Sequence, residues 1–100
     1  MQAIVTVKEG RAQIRLQGRF DFNAHREFRE AIDTVLASPA TAVTVDFAGV
    51  EYLDSSALGM LLMLRDRAKS AAREVTLSGC RGAVKQILDI ANFGKLFKIE

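Results

Sequence analysis

A carboxylate and two hydroxyls stand in a row at Asp54, Ser55 and Ser56. Residues 57–64 follow them as Ala-Leu-Gly-Met-Leu-Leu-Met-Leu, with no charge. Asp and Ser are favoured where a helix begins, because their side-chain oxygens accept N–H groups that the first turn leaves unpaired. A hydroxyl held there is exposed and lies at the positive end of the helix dipole, which favours a phosphate. Two chemistries therefore compete at this junction. One is helix capping, the commoner use of serine. The other is phosphoryl transfer to a serine hydroxyl. The residue types alone leave both open.

Other chemistries fit less well. A hydrolase triad would join Ser55 to His25, the single histidine, yet no Gly-x-Ser-x-Gly elbow surrounds either serine. His25 reads as a surface residue of a helix. A receiver-type site would make Asp54 the phosphate acceptor, but the paired acids and late lysine it needs are missing. No glycine-rich loop is present to cradle a nucleotide phosphate. The one cysteine, Cys80, forms neither an internal disulfide nor a zinc site. The expectation is a binding protein and not an enzyme, with no cofactor and no metal.

Composition narrows the class further. One hundred residues, 49 % of them hydrophobic, suffice for one domain over residues 1–100 with a modest core. Fourteen Lys and Arg against twelve Asp and Glu leave a net charge of +2. The basic residues are scattered, so no nucleic-acid partner is expected. No apolar run approaches the ~20 residues that span a bilayer. The first residues lack a signal-peptide pattern. These features point to a cytoplasmic monomer without a membrane partner.

Something must position the Asp54 junction. Residues 3–7 are rich in β-branched types and read as a strand, and Glu9-Gly10 as a turn. Ala12, Ile14 and Leu16 alternate with Gln13, Arg15 and Gln17, which marks a half-buried second strand ending at Gly18. A loop at residues 19–22 leads to Asn23 as the cap of a first helix. Phe28, Ala31, Ile32, Val35 and Leu36 then follow at helical spacing, and Ser38-Pro39 stops that helix. Residues 42–47 form a third strand, and Ala48-Gly49 turns the chain toward Asp54. Asp46, late in that strand, reads as a structural residue that bonds the loop. A second helix covers residues 55–72, a fourth strand 74–78, a third helix starts near Ala83, and a short last strand falls within 96–99. Asn92 or Gly94 can end the third helix in a left-handed conformation. This alternation specifies an α/β fold, a mixed sheet of four to five strands with about three covering helices. Leu58, Leu61, Val43, Val45, Ile14, Leu16, Phe28, Ile32, Val84 and Ile87 are expected in its core.

Loops that leave the carboxyl ends of parallel strands gather at one edge of such a sheet, where ligands bind. Asp21 and Asp54 both follow strands, so they are candidate neighbours. Asp21 serves equally as a turn residue bonding its own backbone. On a helical wheel, Ala57, Leu58, Leu61, Leu64, Ala68 and Ala72 are assigned to the core side. Met60 and Met63 fall to the side that becomes polar at Asp66 and Arg67, and are expected on a partner-binding surface.

The segment Leu-Asp-Ser-Ser-Ala-Leu-Gly at residues 53–59, preceded by Val-Asp-Phe-Ala-Gly-Val at 45–50, resembles the signature of STAS domains. More narrowly, it resembles bacterial anti-sigma factor antagonists of the SpoIIAA and RsbV type. Residues 16–21, 83–88 and 93–97 are similar to the end of strand two, the last helix and the closing turn of that family. Ala57 departs from it, since many members carry Gly there. The resemblance implies a STAS-like fold and a phosphorylation site at Ser55. It implies a partner that is both anti-sigma factor and ATP-dependent serine kinase, released when Ser55 is modified. A PP2C-type phosphatase would restore the hydroxyl. Asp21, Asp54 and Ser56 are expected to border the partner contact with Met60 and Met63. The same surface without phosphorylation, as a static interaction module, is the competing reading.

Overall fold

Two residues, Glu9 and Gly10, reverse the chain with φ of 53° and 78°. Positive φ at both centres of a two-residue loop suits the right-handed twist of a hairpin, and glycine takes it at no steric cost. The computed structural model describes residues 1–100 and places β1 (Gln2–Lys8) and β2 (Arg11–Phe20) antiparallel around this turn. β3 (Ala42–Leu53), β4 (Glu74–Ser78) and β5 (Lys98–Ile99) then add in parallel. The result is a five-stranded mixed sheet in the order β1-β2-β3-β4-β5. Three helices accompany it: α1 (His25–Ala37), α2 (Ser55–Ser70) and α3 (Gly82–Ile90). The expected α/β architecture is the one observed.

Strand register explains why one face is buried. Val5, Ile14, Val45, Leu77 and Ile99 form one unbroken row across all five strands. Ile14, Val45 and Leu77 in that row are fully buried. The row on the opposite face is Thr6, Gln13, Thr44, Thr76 and Lys98, and none of these is buried. Side chains alternate across a strand, so a period of two in sequence becomes a dry face and a wet face. The helices cover the dry face. Phe20, Phe28 and Phe47 meet at its centre, with ring centroids 4.9 Å and 6.3 Å from Phe20. Each such side chain contributes on the order of 1.5–3 kcal/mol when fully buried.

Several boundaries differ from expectation. β2 continues to Phe20, and β3 runs on to Leu53. Ala48-Gly49 is not a turn but part of an irregular stretch of β3, with register shifts opposite residues 15–17 and 18–19. An extra residue in one strand breaks period-two alternation, and a broken period reads as a loop. Asp46 secures the irregularity by accepting the Ala48 N–H at 2.9 Å. Gly79 fits against it: a Cβ there would lie 2.7 Å from Asp46 Oδ1. α2 ends at Ser70, so Ala72 is not on its core side; it is exposed and left-handed with φ 57°. Asn92 takes the left-handed conformation beyond α3, with φ 60°. Leu58 and Ile87 are half-buried and pack on the core margin, while the other eight expected core residues are buried.

Candidate partner-binding site

Parallel pairing of β2 with β3 sets the site. Phe20 pairs with Leu53, and the Asp54 N–H donates to the Phe20 carbonyl at 3.3 Å. The next residue of each strand is therefore an aspartate at the same sheet edge, Asp21 on one and Asp54 on the other. Both have extended backbones, with φ of −126° and −119°. Asp21 Oδ1 accepts the Asn23 N–H at 3.0 Å and opens a short 3-10 helix at Phe22–Ala24. Asp54 Oδ1 accepts the Ala57 N–H at 3.1 Å and opens α2. The cap of α1 is Ala24, which has no side-chain oxygen, so Asn23 does not cap it.

Asp54 takes the capping duty that sequence alone divided among three residues. Ser55 becomes the first residue of α2, exposed, with a hydroxyl not engaged as the cap. Ser56 is the second and is half-buried. Around Ser55 the first-turn N–H groups and the helix dipole favour added negative charge. The two aspartates oppose it, because like charges at close range repel.

Three residues at this edge carried no clear signal in sequence. Arg19 lies over the Tyr52 ring, 4.3 Å from its centroid, and its Nε reaches Asp21 Oδ2 at 3.6 Å. Arg19 and Tyr52 are a register pair, which explains their contact. Phe22 is 73 % exposed. Phe20 continues the inward alternation of Ala12, Ile14 and Leu16, so Phe22 falls beyond the strand. Knowing where β2 ends would have revealed it.

The α2 surface requires a correction. Met60 is 4 % exposed and belongs to the core cluster. It is not available on a surface. Met63 is half-buried and packs against the core. Successive residues turn about 100° around a helix, so Met60 lies only about 60° from buried Ala57, whereas Leu58 lies about 100° away. The expected stripe was centred too far toward Leu58. The outward line of α2 is Ser55, Gly59, Leu62 and Asp66, with Leu58 on its flank. Leu62, 36 % exposed, is the apolar residue that α2 presents outward.

Cys80 sits half-buried in the loop between β4 and α3. Burial, then the nearby charge of Asp46, pushes its thiol up to about 11. It stays protonated at neutral pH, which lowers its reactivity as a nucleophile. His25 is exposed at the start of α1. No three His, Cys, Asp or Glu side chains converge in a metal-binding group. No helix is long and apolar enough to cross a membrane.

Residues 5–99 match the family described as MlaB, STAS domain. The chain belongs to the STAS domain family. A STAS-domain containing protein of Pseudomonas aeruginosa is 51 % identical over 86 residues, covering 86 % of this chain and 84 % of the relative. A putative anti-sigma factor antagonist of Thermotoga maritima superimposes with a TM-score of 0.87 at 16 % identity, covering 97 % of this chain and 84 % of the other. The phosphorylated form of the Bacillus cell fate determinant SpoIIAA superimposes with a TM-score of 0.73 at 21 % identity, covering 98 % and 90 %. These two likenesses are of fold. The STAS domain here therefore carries its Asp-Ser-Ser element at the junction of β3 and α2, beside Asp21.

Proposed function

We propose that this STAS domain is an anti-sigma factor antagonist switched by phosphorylation at Ser55. One observation carries the reading: Asp54 caps α2, so Ser55 stands exposed at its first position. That arrangement presents a hydroxyl without unwinding the helix. That SpoIIAA, a protein of the same fold, has unphosphorylated and phosphorylated forms also supports it. The partner is an anti-sigma factor that is also a serine kinase, and a PP2C-type phosphatase reverses the modification. The domain itself performs no catalysis.

The contact surface combines Ser55 and Ser56 with Leu58, Leu62 and Phe22, rimmed by Asp21 and Asp54, with Met63 at its margin. A few apolar anchors carry most of the energy of such contacts. A phosphate adds about 1.5 to 2 negative charges at the rim. Asp54 already stands there with Asp21, whose charge Arg19 partly offsets at 3.6 Å, so the partner must desolvate the added negative charge or leave.

Phosphopeptide mapping of the protein purified from its own cells in several growth states tests the proposal. Phosphate on Ser55 in a fraction that varies with growth state is the expected result. Phosphate on Ser56 alone, or none in any state, would replace the switch with a static interaction module.

A further inference from the structure

The two edges of the sheet are unlike. β5 is two residues long, a short edge that offers little to a partner strand. β1 is seven residues long, pairs with β2 in unbroken register, and has no strand on its other side. Exposed edges are usually blunted by proline, charge or a bulge. The β1 sequence, Gln-Ala-Ile-Val-Thr-Val-Lys, has no proline and one charge, at its last residue. Ile4 and Val7 are 38 % and 42 % exposed along it. Alternate backbone groups of β1 point away from β2 without a ladder partner.

A groove follows this edge on the helix side. Ala3, Val5 and Ala31 form its apolar floor, and Glu27, Glu30 and Thr34 of α1 form its wall. Val5 and Ala3 lie on the dry face of the sheet, by the row that Val5 shares with Ile14. An added strand would place every second side chain over this groove. A long basic side chain suits that position. Its aliphatic stem covers Val5 and Ala31, and its head reaches Glu27, and Glu30 in competition with the exposed Arg26 that Glu30 holds at 3.2 Å. The alternate side chains would lie beside Ile4 on the open face, where apolar residues fit.

We propose that β1 is a docking edge for an extended segment of a partner protein, with basic residues alternating with apolar ones. Strand addition supplies affinity through the main chain, and the groove supplies selectivity through charge. A second copy of this chain fits poorly. Its β1 would offer Ala3, Val5 and Val7 to the groove, none able to pair with Glu27 or Glu30. The proposal is independent of the Ser55 switch.

The test titrates a capped heptapeptide alternating lysine and isoleucine into the isotope-labelled full chain, followed by amide chemical shifts and hydrogen exchange. Shifts at Gln2–Lys8 and along α1, with slowed exchange of β1 amides, are expected. The Glu27→Gln/Glu30→Gln variant should bind about fivefold more weakly, the effect of losing two exposed charge pairs. A Ser55→Glu chain should bind the peptide as wild type does, which separates this edge from the switch surface. Equal binding of a glutamate-isoleucine or a lysine-proline heptapeptide would overturn the proposal. So would β1 protection that rises with protein concentration alone, since that identifies a second copy as the occupant.

Discussion

Asp21 and Asp54 hold equivalent positions on adjacent parallel strands, each one residue past the Phe20–Leu53 pair. Each accepts a backbone N–H ahead of it, yet at different reach. Asp21 bonds the residue two ahead and Asp54 the residue three ahead. The shorter reach closes a 3-10 turn and leaves Phe22 outside. The longer reach starts a 16-residue helix. The sheet edge thus presents two carboxylates, an aromatic ring and a serine hydroxyl.

The division of labour between Asp54 and Ser55 is measurable. Asp54→Ala should cost about 1 kcal/mol, the usual loss for an N-cap. Ser55→Ala should cost clearly less, because the cap remains. Ser55→Glu should leave the thermal midpoint nearly unchanged, since the helix dipole favours an acid there, while binding of the proposed anti-sigma partner falls. Urea unfolding and calorimetric titration report the two quantities. Equal losses for Asp54→Ala and Ser55→Ala would show that the serine also caps.

The burial of Met60 separates core from contact. Met60→Ala should destabilise by about 2–5 kcal/mol through the cavity it leaves. Met60→Lys should leave little folded protein, because an unpaired charge is costly in that interior. Leu62→Lys and Phe22→Ser should change stability by less than about 0.5 kcal/mol, as exposed substitutions do, and should weaken partner binding. Chemical denaturation of the four variants ranks them. A stable, folded Met60→Lys protein would contradict the packing.

Most of the fold was legible because alternation and helical spacing act locally. Ala12, Ile14 and Leu16 declared their strand, and Phe28, Ile32 and Val35 their helix. The irregular end of β3 was not legible. Ala48 and Gly49 look like a turn in one dimension, and only pairing with β2 keeps them in a strand. At the site, the Asp54 junction was legible because capping chemistry is local. Arg19 on Tyr52 was not, because register between distant segments creates that contact. Met60 was not legible as core because it flanks the buried stripe about 60° from Ala57 on the side away from Leu58, which lies about 100° from Ala57 on the other flank.

Cys80 gives a pH signature. Its thiol is raised from 9.0 to about 11 in the folded chain, by burial first and by Asp46 second. The folded state therefore holds the proton more tightly than the unfolded one. That contribution is fully present below pH 9.0 and is lost as pH rises through about 11. Wild type should lose stability relative to Cys80→Ala across this window, and the two should run parallel at neutral pH. Denaturation midpoints of both proteins at stepped pH test this. A difference that grows toward acid would reverse the sign and the assignment.

Gly59 offers a way to divide stability from binding. It sits inside α2 on the outward line between Ser55 and Leu62, and a Cβ there would meet no atom within 4 Å. Glycine within a helix costs roughly 0.5–1 kcal/mol relative to alanine, through the backbone freedom it loses on folding. Nothing in the domain itself requires that cost, since the space is open and φ is not left-handed. A closely approaching partner does supply a reason, because a bare backbone lets another chain come nearer than a methyl group allows. Gly59→Ala should therefore raise the unfolding free energy by about 0.5–1 kcal/mol and weaken binding of the proposed partner at the same time. Ser55→Ala, which removes an oxygen and adds no bulk, should keep that binding. Titration of the partner into both variants, with unfolding curves alongside, reads the two effects separately. If Gly59→Ala gains stability and binds as tightly as wild type, the outward line of α2 lies outside the contact, and Phe22 with the aspartate edge must carry it alone.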